Sequence, residues 1–96
     1  MMAHQTLNEQ AQQAADAALM GAEREATALA LTKSRSGLPA DRWPWARIEL
    51  ADGALLTVRR FLPWHEYHLH EAGAASEPVS RDAALQLLTS SIGGAL

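Results

Sequence analysis

The spacing of hydrophobic and polar positions changes twice along the chain. From Leu7 to Arg35, good helix formers dominate, and apolar residues recur at the spacing of one helical face. Thr6 and Glu9 have the spacing of a capping box before this segment, and Ser36-Gly37-Leu38-Pro39 supplies the glycine and proline typical of a helix end. The pattern predicts one long helix over Leu7–Arg35, unless Gly21 interrupts it.

The inward stripe predicted for this helix consists almost entirely of small side chains. Its members are Leu7, Ala11, Ala15, Ala18, Ala22, Ala26 and Leu29. Small side chains let another backbone approach closely, so the stripe is suited to covering the domain's own core or to antiparallel pairing with a second copy. In the second case, the self-association positions are Ala11, Ala15, Ala18, Ala22 and Ala26.

The middle of the chain alternates with the period of β-strands. Residues 46–50 and 54–62 flank Ala51-Asp52-Gly53, which is typical of a hairpin turn. A two-residue loop would mix polar and apolar side chains on each face. A three-residue loop closed by Gly53 as a bulge places on one face Ala46, Ile48, Leu50, Ala54, Leu56 and Val58. We therefore expect the three-residue loop.

The same register assigns a distinctive set of side chains to the opposite face. They are Trp45, Arg47, Glu49, Leu55, Thr57, Arg59 and Phe61. Trp45 is then roughly opposite Arg59 across the two strands.

The segment 65–71 alternates as a third strand would, although a short helix is an alternative. Tyr67 and Leu69 point one way, and the opposite face takes Glu66, His68 and His70. We expect a loop over residues 72–77 and a last helix opened by Pro78-Val79-Ser80, with Ser80 as N-cap, and ended by Gly93-Gly94.

These elements predict an α+β fold of order αβββα. A long N-terminal helix, a three-stranded antiparallel meander and a C-terminal helix form a single domain over residues 1–96, with both helices on one sheet face. The other face is left partly open. Residues 1–5 and 93–96 are expected to be flexible ends.

Composition indicates a thin core. The chain has 96 residues, of which 20 are alanine and 14 are leucine. Because a small domain buries a limited share of its surface, we expect a homodimer to supply part of the stability. The absence of cysteine excludes disulfides and thiolate zinc sites, and no apolar run is long enough for a membrane helix. We expect a cytoplasmic location, and the bias to alanine and to arginine over lysine suggests a bacterial source.

Positive charge and aromatic residues coincide in the middle third of the chain. Residues 33–64 carry six Lys or Arg against three acids, although the whole chain has a net charge of −3. The candidate partner-binding residues there are Trp43, Trp45, Arg47, Arg59, Phe61 and Trp64. Aromatic and arginine side chains dominate protein interfaces, and they also stack on single-stranded nucleic acid. The alternative without function is that the tryptophans wrap the sheet edge beneath arginine stems.

A histidine-rich segment follows, from His65 to Glu71. It lacks the second histidine of the zinc-protease motif, because position 69 is leucine. His68 and His70 share one strand face and are weak candidates for a metal site, with Glu49 as the best third ligand. The chain contains no nucleophile or phosphate-binding motif.

The sequence therefore predicts a non-enzymatic protein-binding module without cofactor, an adaptor, regulator or inhibitor that docks through an aromatic and arginine sheet face. A single-stranded nucleic-acid-binding module using the same face is the first alternative, disfavoured by the acidic net charge. A histidine-rich metal-binding protein is the second.

Overall fold

Two α-helices cover one face of a four-stranded antiparallel sheet. The structure is a computed structural model that describes residues 7–61 and 63–95. The elements are α1 Leu7–Arg35, a 3-10 turn Ala40–Arg42, β1 Ala46–Glu49, β2 Leu55–Phe61, β3 Trp64–His70, β4 Glu77–Val79 and α2 Arg81–Ala95. The strands lie in the order β1-β2-β3-β4. The α+β class is confirmed, with one strand more than predicted.

Helix α1 is continuous through Gly21 and has the predicted bounds. At its end the N–H of Leu38 donates to the carbonyl of Lys33 at 3.0 Å, and Gly37 has a φ of 83°. This left-handed glycine satisfies the last carbonyls and stops the helix, as the Ser-Gly-Leu-Pro pattern predicted. Two predictions fall outside the described residues: the capping position of Thr6 and the flexible N-terminus over residues 1–5.

The buried stripe of α1 differs slightly from the predicted one. Its buried members are Ala11, Ala15, Leu19, Ala22, Ala26 and Ala30. Ala18 and Leu29 are only half-buried because the stripe is rotated toward the second helix, and the side chain of Leu7 lies outside the described residues. Leu19 is the one large side chain in a row of alanines.

The β1–β2 hairpin has the predicted three-residue loop. The N–H of Leu50 donates to the carbonyl of Ala54 at 2.9 Å, and the N–H of Gly53 donates to the carbonyl of Leu50 at 3.0 Å. Gly53 has a φ of 87°, as a bulge glycine requires. The register pairs Ile48 with Leu56, so the predicted apolar face is the one that meets the helices.

Strand β3 is confirmed, and the short-helix alternative for residues 65–71 is wrong. Tyr67 and Leu69 are buried, as the alternation predicted. The loop prediction for residues 72–77 is wrong at its end, because β4, Glu77–Val79, pairs antiparallel with β3. A strand of three residues with a central proline has too few positions to show alternation, so no pattern in the sequence indicates it.

Helix α2 begins where the sequence predicted and ends later. Ser80 is its N-cap, since the N–H of Ala83 donates to the Ser80 Oγ at 3.0 Å. The helix continues through Gly93 and Gly94 to Ala95, so the predicted end at these glycines is wrong. A Cβ on Gly93 would lie 3.7 Å from the Cβ of Ala11, so α1 packs directly against this last turn. Leu96 lies outside the described residues.

The alanine stripe is buried within the protein's own core. Ala15, Ala22 and Ala26 pack in one cluster with the inner face of the sheet and with α2, at exposures of 0 to 6%. The predicted self-association surface of Ala11, Ala15, Ala18, Ala22 and Ala26 is therefore corrected: only Ala18 keeps appreciable exposure. The stripe holds α1 close to the sheet and is not free for a second copy.

Neither α-helix in the described part of the chain is long and apolar enough to cross a membrane.

Candidate docking surface on the uncovered sheet face

The sheet face turned away from both helices, here called the outer face, collects most of the predicted partner-binding residues. Because alternate side chains of a strand share a face, the register of β1, β2 and β3 aligns their outward positions. Phe61 pairs with Trp64, and Arg59 with Glu66. The predicted residues that lie on this face are Trp45, Arg47, Arg59, Phe61 and Trp64.

Arg59 is at the centre of this face. Its Cζ lies 4.4 Å from the centroid of the Trp45 ring and 5.4 Å from that of Phe61. Its Nη2 lies 2.6 Å from Glu66 Oε1, and its Nη1 donates to the carbonyl of Asp41 at 2.8 Å. The side chain is only 12% exposed, so the guanidinium is a fixed part of the surface.

Trp64 is the most accessible aromatic residue of the outer face. It is 55% exposed, and its ring centroid lies 6.1 Å from that of Phe61 at an interplanar angle of 46°. The tilted contact with Phe61 supports one side of the indole and leaves the other to solvent. Trp64 is at the start of β3, next to the turn that follows β2.

Trp43 is not part of this surface. It is 6% exposed, and its indole N–H donates to the carbonyl of Leu38 at 2.8 Å. The side chain borders a small cavity of about 110 Å³ shared with Ala30 and Arg60, on the helix side of the sheet. Trp43 is therefore packed as the alternative anticipated. Trp45, half-buried with Arg59 over its ring, also fits that alternative, whereas Trp64 is exposed on the outer face.

The histidines of β3 are engaged with neighbouring side chains. The ring of His68 meets Trp45 edge-on, with 4.9 Å between centroids. The Nε2 of His70 lies 3.0 Å from the hydroxyl of Thr57. Glu49, the predicted third ligand, is on β1 with β2 between, which places its backbone about 10 Å from that of His70. Across residues 7–61 and 63–95 no group of three metal-binding side chains occurs.

Charges on the outer face are balanced. Its strands carry Arg47 and Arg59 against Glu49 and Glu66, and one of these pairs is in direct contact. The basic character of the middle third, clear in the sequence, is therefore lost when β3 brings its carboxylate beside Arg59. A polyanion meets no excess of positive charge here.

A second polar cluster links α1, β3 and α2 on the helix side of the sheet. Tyr67 donates its hydroxyl hydrogen to Glu23 Oε2, and Arg81 donates to both oxygens of Glu23, at 2.8 and 3.1 Å. The Nε2 of His65 lies 3.2 Å from the Glu23 carbonyl. Sequence reasoning missed this cluster because its members are far apart in the chain and belong to no motif.

The directions of the pKa shifts in this cluster follow from its hydrogen bonds and burial. Burial alone would raise the pKa of Glu23, but the hydrogen bonds from Arg81 and Tyr67 outweigh it, so the pKa is lowered. Burial and the hydrogen bond to Glu23 both raise the pKa of Tyr67, and the pKa of Arg81 is raised by its hydrogen bond to the same carboxylate. The charged side chains of Glu23 and Arg81, together with Tyr67, therefore link α1, β3 and α2.

Comparisons with protein-family models, with curated proteins and with solved structures found no match to this chain.

Proposed function

We propose that this protein is a non-enzymatic protein-binding module that docks a partner through the outer face, with Trp64 as the anchor. The single observation that carries the proposal is that Trp64 is 55% exposed and supported by Phe61 on the sheet face turned away from both described helices. Such a module acts as an adaptor, a regulator or an inhibitor.

The exposed indole of Trp64 leaves a large apolar surface in contact with water. A tryptophan side chain gains more from burial than almost any other, and tryptophan and arginine are enriched among the residues that dominate binding energy. Phe61 and the stacked Arg59 hold the surface beside Trp64 in one arrangement. A partner therefore gains apolar burial with little loss of side-chain entropy on this side.

The contacts of Arg59 favour a protein as the occupant. Its charge is compensated by Glu66 at 2.6 Å, and phosphate binding would require breaking that pair. Single-stranded nucleic acid needs several free cations beside the stacking rings, and the exposed Arg47 of this face is offset by Glu49 two residues on. A protein surface of apolar and uncharged polar groups matches this balanced charge.

A groove beside Trp64 gives the partner a place to enter. It has a volume of about 420 Å³ and runs along the edge of β3 where the short β4 no longer covers it. Its lining includes Trp64, Pro78 and Arg81. An apolar side chain of the partner inserted here would contact the free face of the indole.

The test is affinity capture from the source organism with the wild type beside two single variants, followed by binding measurements with the purified partner. Trp64→Ala removes the anchor, and Leu31→Ala is the matched control, because Leu31 is also 55% exposed but belongs to α1. We expect Trp64→Ala to weaken binding by about thirtyfold, as loss of a hot spot does, and Leu31→Ala to change it less than about twofold.

Equal binding by the two variants would contradict the proposal. A gel shift with single-stranded oligonucleotides at low salt that is lost in Trp64→Ala would favour the nucleic-acid alternative instead. Both variants change exposed side chains, so unfolding does not confound the comparison.

A further inference from the structure

Strand β1 leaves one edge of the sheet open, and its exposed groups have the pattern of a self-complementary interface. It is the first strand in the sheet order, so one of its edges has no neighbouring strand among residues 7–61 and 63–95. The opposite edge is β4, a strand of only three residues with Pro78 at its centre, both features that discourage further pairing. The two edges of the sheet are therefore unlike.

The hairpin register determines which backbone groups β1 presents at its free edge. The N–H of Leu50 donates to the carbonyl of Ala54, so Leu50 and every second residue before it in β1 direct their N–H and C=O groups toward β2. Arg47 and Glu49 occupy the positions between, and their backbone groups point away from the sheet. Within residues 7–61 and 63–95, no backbone hydrogen bond outside the regular elements uses them.

The side chains of Arg47 and Glu49 are also free. Both are exposed, and neither takes part in an ion pair or a side-chain hydrogen bond within the described residues. Ile48 lies between them on the inner face and is only partly buried, whereas its neighbour Leu56 is fully buried. Along β1, a cationic residue, Arg47, is thus followed by an apolar one, Ile48, and an anionic one, Glu49.

We propose that two copies of this protein pair through β1 in an antiparallel arrangement with Ile48 on the two-fold axis. In this register Arg47 of each copy is opposite Glu49 of the other, and both residues have outward backbone groups, as a hydrogen-bonded pair requires. The two sheets join into one sheet with all helices on the same side. This inference does not depend on the docking function proposed above.

Charge decides between the possible registers. A two-fold axis at Arg47 would place arginine opposite arginine, and an axis at Glu49 would place glutamate opposite glutamate, both of which are unfavourable. A two-fold axis between two neighbouring residues would place a residue whose backbone groups point to the free edge opposite one whose backbone groups point to β2. Among the registers that pair Arg47 and Glu49 with each other or with themselves, the one centred on Ile48 satisfies both the backbone and the charges. It ends at Ala51, whose N–H already donates to Ser91 Oγ at 2.6 Å.

The flank of α1 above β1 is compatible with this arrangement. One side of α1 faces β3 and α2 through Glu23 and Thr27. The opposite side carries the small residues Ala14, Ala18 and Gly21 together with the exposed Glu25, and a Cβ on Gly21 would meet nothing within 4 Å. Joining two β1 strands at about 4.8 Å turns this side of α1 toward the same side of α1 in the second copy.

The test is a charge swap measured by sedimentation equilibrium. We expect the wild type to reach twice the protomer mass of 10.4 kDa at micromolar concentration. Arg47→Glu and Glu49→Arg each place like charges opposite one another and should raise the dissociation constant by about tenfold or more. An equimolar mixture of the two variants restores both attractive pairs and should form a heterodimer.

Arg24→Glu is the matched control, because it makes the same charge change on an exposed position of α1 and should leave the dimer intact. A wild type that stays monomeric at high micromolar concentration overturns the proposal, as does a dimer that both single variants leave unchanged. Failure of the mixture to associate overturns the Ile48-centred register. Trp64→Ala should leave the dimer intact, which separates this test from that of partner docking.

Discussion

The guanidinium of Arg59 lies over the indole of Trp45, with 4.4 Å between Cζ and the ring centroid. Trp45 comes directly before β1, whose first residue, Ala46, pairs with Val58, so continuing the register by one position places Trp45 opposite Arg59. Their contact orders the centre of the outer face, so the side chains beside the more exposed Trp64 have a defined arrangement before a partner binds. Rigid surfaces lose little entropy on binding, which is the property that a docking face needs.

We expect Arg59→Ala to destabilise the fold by about 1–3 kcal/mol, because it removes the stacking on two aromatic rings and leaves Glu66 without its partner. The measurement is the free energy of unfolding in urea. Arg47→Ala is the control, since Arg47 is exposed and without an ion pair, and its effect should stay within about 0.5 kcal/mol in the monomer. Equal losses in both variants would argue against a special role of Arg59.

The Glu23 cluster predicts a pH dependence of stability with a definite sign. The pKa of Glu23 is lowered in the folded protein, so below the ordinary value of 4.5 the unfolded chain binds a proton more readily than the folded one. The stability contributed by Glu23 is therefore complete above that value and is lost as the pH falls through the folded pKa.

The measurement is urea unfolding of the wild type and of Glu23→Gln between pH 7 and pH 3. We expect the wild type to be more stable at neutral pH and the difference to shrink toward acid pH, because a protonated glutamate resembles glutamine. Glu25→Gln is the control on an exposed position of the same helix. A constant difference between wild type and Glu23→Gln over this range would contradict the assignment.

Substitution by alanine is expected to have opposite effects on stability at two glycines, Gly53 and Gly21. Gly53 has a φ of 87°, so Gly53→Ala should cost about 1–2 kcal/mol through backbone strain alone, since a Cβ there would meet nothing within 4 Å. Gly21 is inside α1 with open space around it, so Gly21→Ala should stabilise the protein by about 0.5–1 kcal/mol. Thermal unfolding followed by circular dichroism measures both, and shifts of the same sign would refute the pair of assignments.

Local patterns were sufficient to predict the helices and the hairpin. The alternation around Asp52-Gly53 determined the loop length, because only one register put Ile48 and Leu56 on the same face as the other apolar residues. The Ser80 N-cap was equally visible in the sequence. By contrast, β4 and the last turn of α2 depend on tertiary contacts, with Tyr67 opposite Val79 and Gly93 against Ala11, and these override the local preferences of Pro78 and the two glycines.

The candidate site was predictable in its position but not in its electrostatics. The hairpin register alone placed Trp45, Arg47 and Arg59 on the outer face. The partner of Arg59, Glu66, comes from β3 and is visible only once the second hairpin register is known. Burial of Trp43 depends on the turn that follows α1, where its indole finds the Leu38 carbonyl, and no periodicity indicates such a contact.

The buried alanine stripe of α1 leads to the last prediction. Ala26 is fully buried within the core cluster, whereas Ala17 is an exposed position of the same helix. Ala26→Leu should cost about 1–3 kcal/mol, because the extra atoms must displace well-packed neighbours, while Ala17→Leu should change stability by less than about 0.5 kcal/mol. Urea unfolding checks both values. If the stripe instead joined two copies, Ala26→Leu would lower the mass in sedimentation and leave the stability of the monomer unchanged.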